Sequence, residues 1–270
     1  MEEINFVEEF EKTKDKFDKY LKKNYDFRTT KIKHKYNHTY RVVELADQIA
    51  RDLDLNEEDV YIAKLGALFH DIGRFEQVKN AKEYDKQKKL DHGKLAIDIL
   101  FKDGLLREFL DDTVYDNIIR ETVFNHNKYE IETKRLSEHE LLHVKILRDA
   151  DKTDALFNRA NEDVDKTIKY SLKEVEESKI TEEVYEEFMD EKTVLKDIVK
   201  TPADKWMVVL AYIFGYYFTS GLKLVLEEGY IEKIKDKIEF KNEETISKAK
   251  NMYRLAENHI IYRISNDINF

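Results

Sequence analysis

The chain contains no cysteine, one proline and only seven glycines among its 270 residues. Without cysteine it can form neither a disulfide nor a thiolate ligand, so any metal chemistry falls to His, Asp and Glu. β-Proteins of this size need frequent Gly and Pro turns, and their scarcity therefore favours an all-α fold. Hydrophobic residues make up 41% of the chain, which is enough for a sizeable core.

Long apolar runs are also scarce. Residues 206–222 carry no charge, but they are fewer than the roughly 20 apolar residues of a membrane-spanning helix and include two glycines. We therefore expect a buried core helix there and no membrane partner. The acidic N-terminus, MEEINFVEEF, lacks the basic-then-apolar layout of a signal peptide, so we expect a cytoplasmic protein.

The charge balance narrows the class of partner. The chain has 57 acidic and 47 basic residues, for a formal net charge of −10. Such a chain has no overall attraction for nucleic-acid polymers or anionic membranes. Any phosphate that it recognises must be held by a bound metal or by a few placed cations. The expected partner is a small phosphorylated substrate, and a homo-oligomer is left open.

Helical periodicity of the apolar residues covers most of the chain. Asn56 is a predicted helix cap, and the helix that it begins is expected to end near Gly73. Residues 76–90 are polar and predict a loop, and Thr201-Pro202 is typical of a helix start. The other predicted helices are 4–23, 36–53, 91–103, 112–126, 137–157 and 245–264. We expect a domain over residues 1–157 and a helical extension, 158–270, packed on it as one compact unit.

Six potential metal ligands lie in the first 151 residues. The adjacent pair His70–Asp71 follows an apolar stretch and precedes Gly73. Neighbouring helical side chains diverge by about 100°, so both can reach one metal only near a helix end. Because the others are far apart in sequence, different helices must gather them, as in helical-bundle metal sites. The six are His38, His70, Asp71, His92, His126 and Asp151.

Other titratable residues have weaker support. Asp149 and Asp154 flank Asp151 and are rivals to it, either solvated or placed behind a ligand. The histidines that lack supporting context are interpreted as structural. They are His34, His139, His143 and His259.

The ordered set of histidines and aspartates resembles the HD superfamily of metal-dependent phosphohydrolases. The matching segments are YNHTYRVVELA, LGALFHDIGR, DHGKLAIDIL, FNHNK and LRDADKTDAL, which together span residues 36–156. An HD dipeptide alone is weak evidence, whereas the whole ordered set is specific. The resemblance implies an all-α, multi-helix HD-domain bundle with additional C-terminal helices.

The resemblance also implies a ligand set. By analogy, a first metal is held by His38, His70, Asp71 and Asp151. Members with two further histidines before the final Asp form a dinuclear branch, in which Asp71 would bridge to a second metal bound by His92 and His126. One or two divalent ions are therefore expected, and mixed imidazole and carboxylate ligands suit Mn, Fe, Co, Ni or Zn, with Mg also considered.

The function implied is hydrolysis of a phosphate ester or anhydride of a small molecule, in particular a nucleotide, by metal-activated water. Asp71 and Arg74 are the predicted catalytic residues. Arg74 stands where many relatives have Lys after HD-x-G, and its guanidinium can bind phosphate through two N–H groups. Lys94 and Lys128 are further candidates for substrate binding. The alternatives are a non-catalytic nucleotide-sensing HD module and an HD-type di-iron oxygenase.

Overall fold

The computed structural model describes residues 4–81 and 91–270. Over these ranges the chain forms helices and no β-strand, which confirms the all-α prediction. The helices pack into two compact units, Met1–Ala150 and Asp151–Phe270. The proposed domain boundary after residue 157 stays a prediction.

The first unit contains α1 to α6 and the first part of α7. Between these helices lie a π-helical turn, Asp98–Lys102, and two 3₁₀ turns, Leu105–Glu108 and Thr133–Arg135. The bounds are α1 Phe6–Asn24, α2 Thr30–Asp52, α3 Glu57–Phe69, α4 Ile72–Lys79, α5 His92–Ile97, α6 Asp116–Asn125 and α7 Glu138–Asn161.

An aromatic cluster holds the C-terminal end of α3 in the core of this unit. The rings of Phe17, Phe69 and Phe109 lie 5.4 to 5.7 Å apart between centroids, and all three side chains are buried. At the other end of α3, the Asn56 side chain accepts a hydrogen bond from the backbone N–H of Asp59, as predicted for a helix cap. Helix α3 is therefore fixed at both ends.

The helix that begins after Asn56 ends earlier than predicted. Helix α3 stops at Phe69, and α4 begins at Ile72, so that His70 and Asp71 form the break between them. Residues 76–79, predicted as loop, belong to α4 because Ile72 and Phe75 are fully buried and hold its apolar side in the core. The rest of the predicted loop, from 82 to 90, lies outside the described residues.

Two further helices of the first unit differ in detail from the prediction, and a third begins where it was predicted. The helix predicted at 91–103 consists of α5 and the π-helical turn that follows it, and Gly104 ends it with φ 79°. Helix α6 starts at Asp116, later than predicted. Ser137 caps α7 as predicted, with its hydroxyl accepting from the N–H of Glu140.

The second unit contains the rest of α7 and the helices that follow. Thr201 caps α11 and Pro202 is its first residue, as predicted. The two 3₁₀ segments are Lys196–Ile198 and Val208–Gly215. The helices are α8 Val164–Ile168, α9 Leu172–Glu177, α10 Glu182–Met189, α11 Pro202–Met207, α12 Thr219–Glu227, α13 Tyr230–Asp236 and α14 Glu243–Ser265.

Residues 206–222 do not form the single core helix that was predicted. The segment comprises the end of α11, the 3₁₀ segment Val208–Gly215 and the start of α12. Its burial was predicted correctly, since Trp206 and Leu222 are fully buried in the hydrophobic core of the second unit. Among the described residues, every helix is too short or too polar to cross a membrane.

Candidate metal centre

Five of the six predicted ligands come together in the first unit. His38 lies on α2, His70 and Asp71 lie between α3 and α4, His92 begins α5, and His126 follows the last residue of α6. His70 and Asp71 are 0% and 3% exposed, so the pair faces the interior of the unit. The break between α3 and α4 is what allows both side chains of the pair to face the same space.

The first group of ligand atoms lies around Oδ2 of Asp71. This oxygen is 3.4 Å from Nε2 of His38 and 3.9 Å from Nε2 of His70. The two imidazole nitrogens are 3.2 Å apart. Ligands bound at about 2.0–2.2 Å to one ion lie roughly 3–4 Å from each other, so the three atoms can share a metal. We call them the Oδ2 side.

The second group lies around the other oxygen, Oδ1, of the same carboxylate. Nε2 of His92 is 3.6 Å from Oδ1, and Nε2 of His126 is 4.0 Å from it. The two imidazole nitrogens are 3.0 Å apart. This group, the Oδ1 side, therefore repeats the arrangement of the Oδ2 side, and each side uses one oxygen of Asp71.

One histidine on each side is oriented by its own helix. Nδ1 of His70 lies 2.7 Å from the carbonyl oxygen of Ala67, and Nδ1 of His126 lies 2.6 Å from that of Val123. A carbonyl can only accept, so each Nδ1 carries the proton and each Nε2 presents its lone pair as an acceptor. This is the tautomer that metal-binding histidines usually adopt.

Two glycines allow the helices that carry His92 and His126 to pack closely against α3 and α4. A Cβ on Gly73 would lie 2.4 Å from the backbone oxygen of His92, so only glycine lets α4 contact the start of α5. A Cβ on Gly66 would lie 2.8 Å from the Thr122 side chain, between α3 and α6. These contacts bring His92 and His126 to the end of α3.

The buried carboxylate is ionised. Burial raises the pKa of Asp71, but nearby positive charge, above all on Lys35, holds it well below its usual range. Burial also lowers the pKa of His92 to about 2, a larger effect than the opposing attraction of Asp71. An ionised carboxylate and a neutral imidazole are the forms that bind metal ions.

Two cations flank the carboxylate. Nζ of Lys35 donates to Oδ2 of Asp71 at 2.9 Å. This lysine was not among the predicted site residues. Its position one turn before His38 on the same helix face was the available signal. On the other side, Nε of Arg74 lies 3.9 Å from Oδ1 of Asp71, and its guanidinium also donates to Gln77.

The two other candidate cations are placed differently. Lys94 is exposed on α5. Lys128 forms an ion pair with Asp91, the residue whose side chain caps α5 by accepting from Gly93 N–H at 2.9 Å. Lys128 therefore stabilises the start of the helix that carries His92, and a role for either lysine in substrate binding stays a prediction.

The sixth predicted ligand, Asp151, is the first residue of the second unit, and its role as a ligand stays a prediction. Asp149 and Asp154 are both 0% exposed, which rules out the solvated alternative considered for them. Oδ2 of Asp154 accepts from the amide of Asn158 at 2.6 Å, one turn further along α7.

A third group of potential ligands was not anticipated. Asp59, His139 and His143 place their ligand atoms within 4.8 Å of one another. His139 and His143 had been interpreted as structural, although their spacing of four residues puts both on one face of a helix. Burial lowers the pKa of His143 to about 4.

Comparison with known families agrees with the geometry. Residues 36–156 match the family model described as HD domain, which confirms the resemblance over that segment. No curated protein and no solved structure matches the chain. Four imidazole nitrogens and one shared carboxylate are a donor set that suits divalent transition metals, so the residues fit the ions that the family implies.

Proposed function

Because the chain carries an HD domain, the domain typical of metal-dependent phosphohydrolases, we propose that it hydrolyses a phosphate ester or anhydride of a small molecule. We further propose that the substrate is a nucleotide. His38, His70 and one oxygen of Asp71 would hold one divalent ion. His92, His126 and the other oxygen of Asp71 would hold a second.

The observation that carries this proposal is the division of the Asp71 carboxylate between two histidine pairs. One pair lies around Oδ2 and the other around Oδ1, with every distance from carboxylate oxygen to imidazole nitrogen between 3.4 and 4.0 Å. A carboxylate can bridge two ions in this way, and paired ions are typical of enzymes that hydrolyse phosphate esters.

When bound, such ions lower the pKa of water and offset negative charge on the phosphoryl oxygens. The chain supplies the rest of the positive charge. Side chains of Lys35 and Arg74 are 26% and 37% exposed, so both extend from the buried Asp71 carboxylate toward solvent. Arg74 can bind phosphate through two parallel N–H groups, whereas the Lys35 ammonium acts as a point charge. These two cations favour an anionic substrate.

Asp151 is the remaining donor that the proposal includes. It would add a second carboxylate to the Oδ2 side, as the family pattern implies. Asp151→Ala should then weaken ion binding at the Oδ2 side while leaving the Oδ1 side loaded. Unchanged ion content in this variant would remove Asp151 from the ligand set.

The test is a hydrolysis screen of the metal-loaded protein. The protein loaded with Mn²⁺ or Co²⁺ is mixed with mononucleotides, dinucleotides, cyclic nucleotides and sugar phosphates, and released phosphate or nucleoside is measured. We expect turnover of at least one class, and its loss in Asp71→Ala. The matched control is Asp103→Ala, which removes an exposed carboxylate from the same unit.

The alternatives give different results in the same screen. A nucleotide sensor would bind one of these compounds tightly without turning it over. A di-iron oxygenase would consume O₂ when loaded with Fe²⁺ and release no phosphate by hydrolysis. Either outcome would replace the hydrolase proposal.

A further inference from the structure

The group formed by Asp59, His139 and His143 lies away from the Asp71 centre. Asp59 is in the first turn of α3, and the two histidines are in the first two turns of α7. Asp59 and Phe69, the last residue before the centre, are ten positions apart on α3, which corresponds to about 15 Å of helix. Any ion in this group would therefore be independent of the ions at Asp71.

The distances in this group suit one metal ion. Nε2 of His143 is 3.2 Å from Oδ1 of Asp59 and 3.3 Å from Nε2 of His139. Tetrahedral ligands at 2.0–2.1 Å from Zn²⁺ lie about 3.3 Å apart, so two of the three distances already fit. The third distance, 2.5 Å between Nε2 of His139 and Oδ1 of Asp59, must lengthen when an ion binds. The side chain of His139 is exposed and can move outward to allow this.

Two of the three ligands are held in place by their surroundings. Oδ2 of Asp59 accepts from the Asn56 side chain at 2.8 Å, which leaves Oδ1 to face the histidines. His143 is 0% exposed, and Nδ1 of its ring has no hydrogen-bond partner among the described residues. All polar contacts of this buried ring are therefore made by Nε2, within the group.

The third ligand opens onto solvent. The side chain of His139 is 54% exposed and lies at the edge of a cleft of about 320 Å³. Glu58, Tyr115 and Glu140 also line this cleft. A fourth ligand from solvent can approach the group from that direction.

We propose that Asp59, His139 and His143 form a separate binding site for a divalent transition-metal ion, with Zn²⁺ as the best match. Two imidazoles four residues apart on one helix, together with a carboxylate, are a common Zn²⁺ donor set. The bound ion links the N-terminal turns of α3 and α7. Its fourth position is open to water or to a small ligand in the cleft.

The experiment measures bound zinc in matched pairs of variants. His139→Ala removes an exposed ligand, so it does not disturb the core. Glu138→Ala, which changes the exposed neighbouring side chain on α7, is the control. Both are made in the wild type and in Asp71→Ala, and zinc per chain is determined by elemental analysis after equilibration and gel filtration.

We expect His139→Ala to lower the zinc content by one ion per chain in both backgrounds, and Glu138→Ala to leave it unchanged. With Co²⁺ in place of Zn²⁺, the Asp71→Ala protein should show visible absorption that disappears in Asp71→Ala/His139→Ala. Equal zinc content with and without His139 would show that the group is a hydrogen-bonded cluster only. Because the difference is taken within each background, this result does not depend on the proposed hydrolase function.

Discussion

The two sides of Asp71 are alike in ligands but differ in what holds them. Each side has two imidazole nitrogens 3.0 to 3.2 Å apart, facing one carboxylate oxygen. On the Oδ2 side the side chains of His38 and His70 are 9% and 0% exposed. On the Oδ1 side those of His92 and His126 are 13% and 1% exposed.

The support for His92 comes from side chains and not from its own helix. Nδ1 of His92 lies 3.2 Å from the side-chain nitrogen Nδ2 of Asn127. Nδ2 of Asn127 also donates to Oδ1 of Asp91 at 2.6 Å. Asp91 is held in turn by the ion pair with Lys128. His70 needs no such chain, because its Nδ1 donates to a carbonyl of α3. Of these two histidines, His92 is therefore the one whose orientation depends on neighbouring side chains.

The two cations that flank Asp71, Lys35 and Arg74, also differ in how closely they approach the carboxylate. Lys35 donates directly to Oδ2 at 2.9 Å, whereas Arg74 stays 3.9 Å from Oδ1 and donates to Gln77. Lys35 therefore forms an ion pair with the Asp71 carboxylate. The Arg74 guanidinium is better placed to bind the phosphate of the proposed substrate. The difference suggests that one cation tunes the metal centre and the other contacts the substrate.

The largest effect is expected from the residue that both sides share. Asp71→Ala should abolish ion binding on both sides, because each side loses the carboxylate oxygen that Asp71 supplies to it. Activity should fall by more than the roughly 10- to 100-fold that follows loss of a residue supporting a ligand. Elemental analysis and phosphate release measure the two effects, with circular dichroism to verify helicity. Normal ion content in this variant would contradict the assignment of Asp71.

The next prediction separates the sides. His70→Ala should empty the Oδ2 side and His126→Ala the Oδ1 side, so that each variant retains about one of two ions. Either change should lower activity strongly, since the proposed hydrolysis uses both ions. His34→Ala, which removes an exposed histidine of α2, is the control. If wild-type protein loaded anaerobically with Mn²⁺ or Fe²⁺ saturates at one ion, the two-ion arrangement is wrong.

The sequence predicted the fold class, and it singled out five residues that the structure brings together around Asp71. Scarce Gly and Pro predicted helices, and the position of His70–Asp71 after an apolar stretch predicted a helix end. The new helix at Ile72 was not predictable from local pattern, because burial of Phe75 depends on tertiary packing. The uniformly apolar residues 206–222 likewise show no periodicity that separates an α-helix from a 3₁₀ segment.

Individual side chains were harder to predict than helices. Lys35 was not among the predicted site residues, and His139 and His143 were interpreted as structural because they lacked supporting context. In each case the informative signal was a spacing of three or four residues on one helix, from Lys35 to His38 and from His139 to His143. What could not be read from spacing is which other segment of the chain supplies the partner, Asp71 in one case and Asp59 in the other.

A smaller effect is expected from the support of His92. Asn127→Ala should lower ion affinity on the Oδ1 side by roughly 10- to 100-fold, because it frees both the His92 ring and the Asp91 carboxylate. The Oδ2 side should keep its affinity. Calorimetric titration with Mn²⁺ measures the binding of each of the two ions. The control is Asn24→Ala, which removes an amide on α1 that donates to the backbone carbonyl of Tyr20. Equal weakening of both steps would show that the two sides do not differ in their support.

Substitution of Arg74 is expected to change ion binding least, and to act mainly on the substrate. Arg74→Ala should leave ion content unchanged and lower kcat/KM, because a lost charged hydrogen bond costs about 1.5–3 kcal/mol. That cost corresponds to a roughly 10- to 150-fold decrease. Arg74→Lys should restore part of the activity, since it keeps the charge but loses the paired N–H groups.

The matched controls for Arg74 test the contrast between the two cations. Arg120→Ala removes an exposed arginine of α6 that packs over the ring of Phe101, and it should leave kcat/KM unchanged. Lys35→Met should instead raise ion affinity on the Oδ2 side, because the ammonium no longer competes for that oxygen or repels the ion. If Arg74→Ala changes ion content as much as Lys35→Met does, both cations belong to the metal centre. The substrate phosphate must then be bound by other residues.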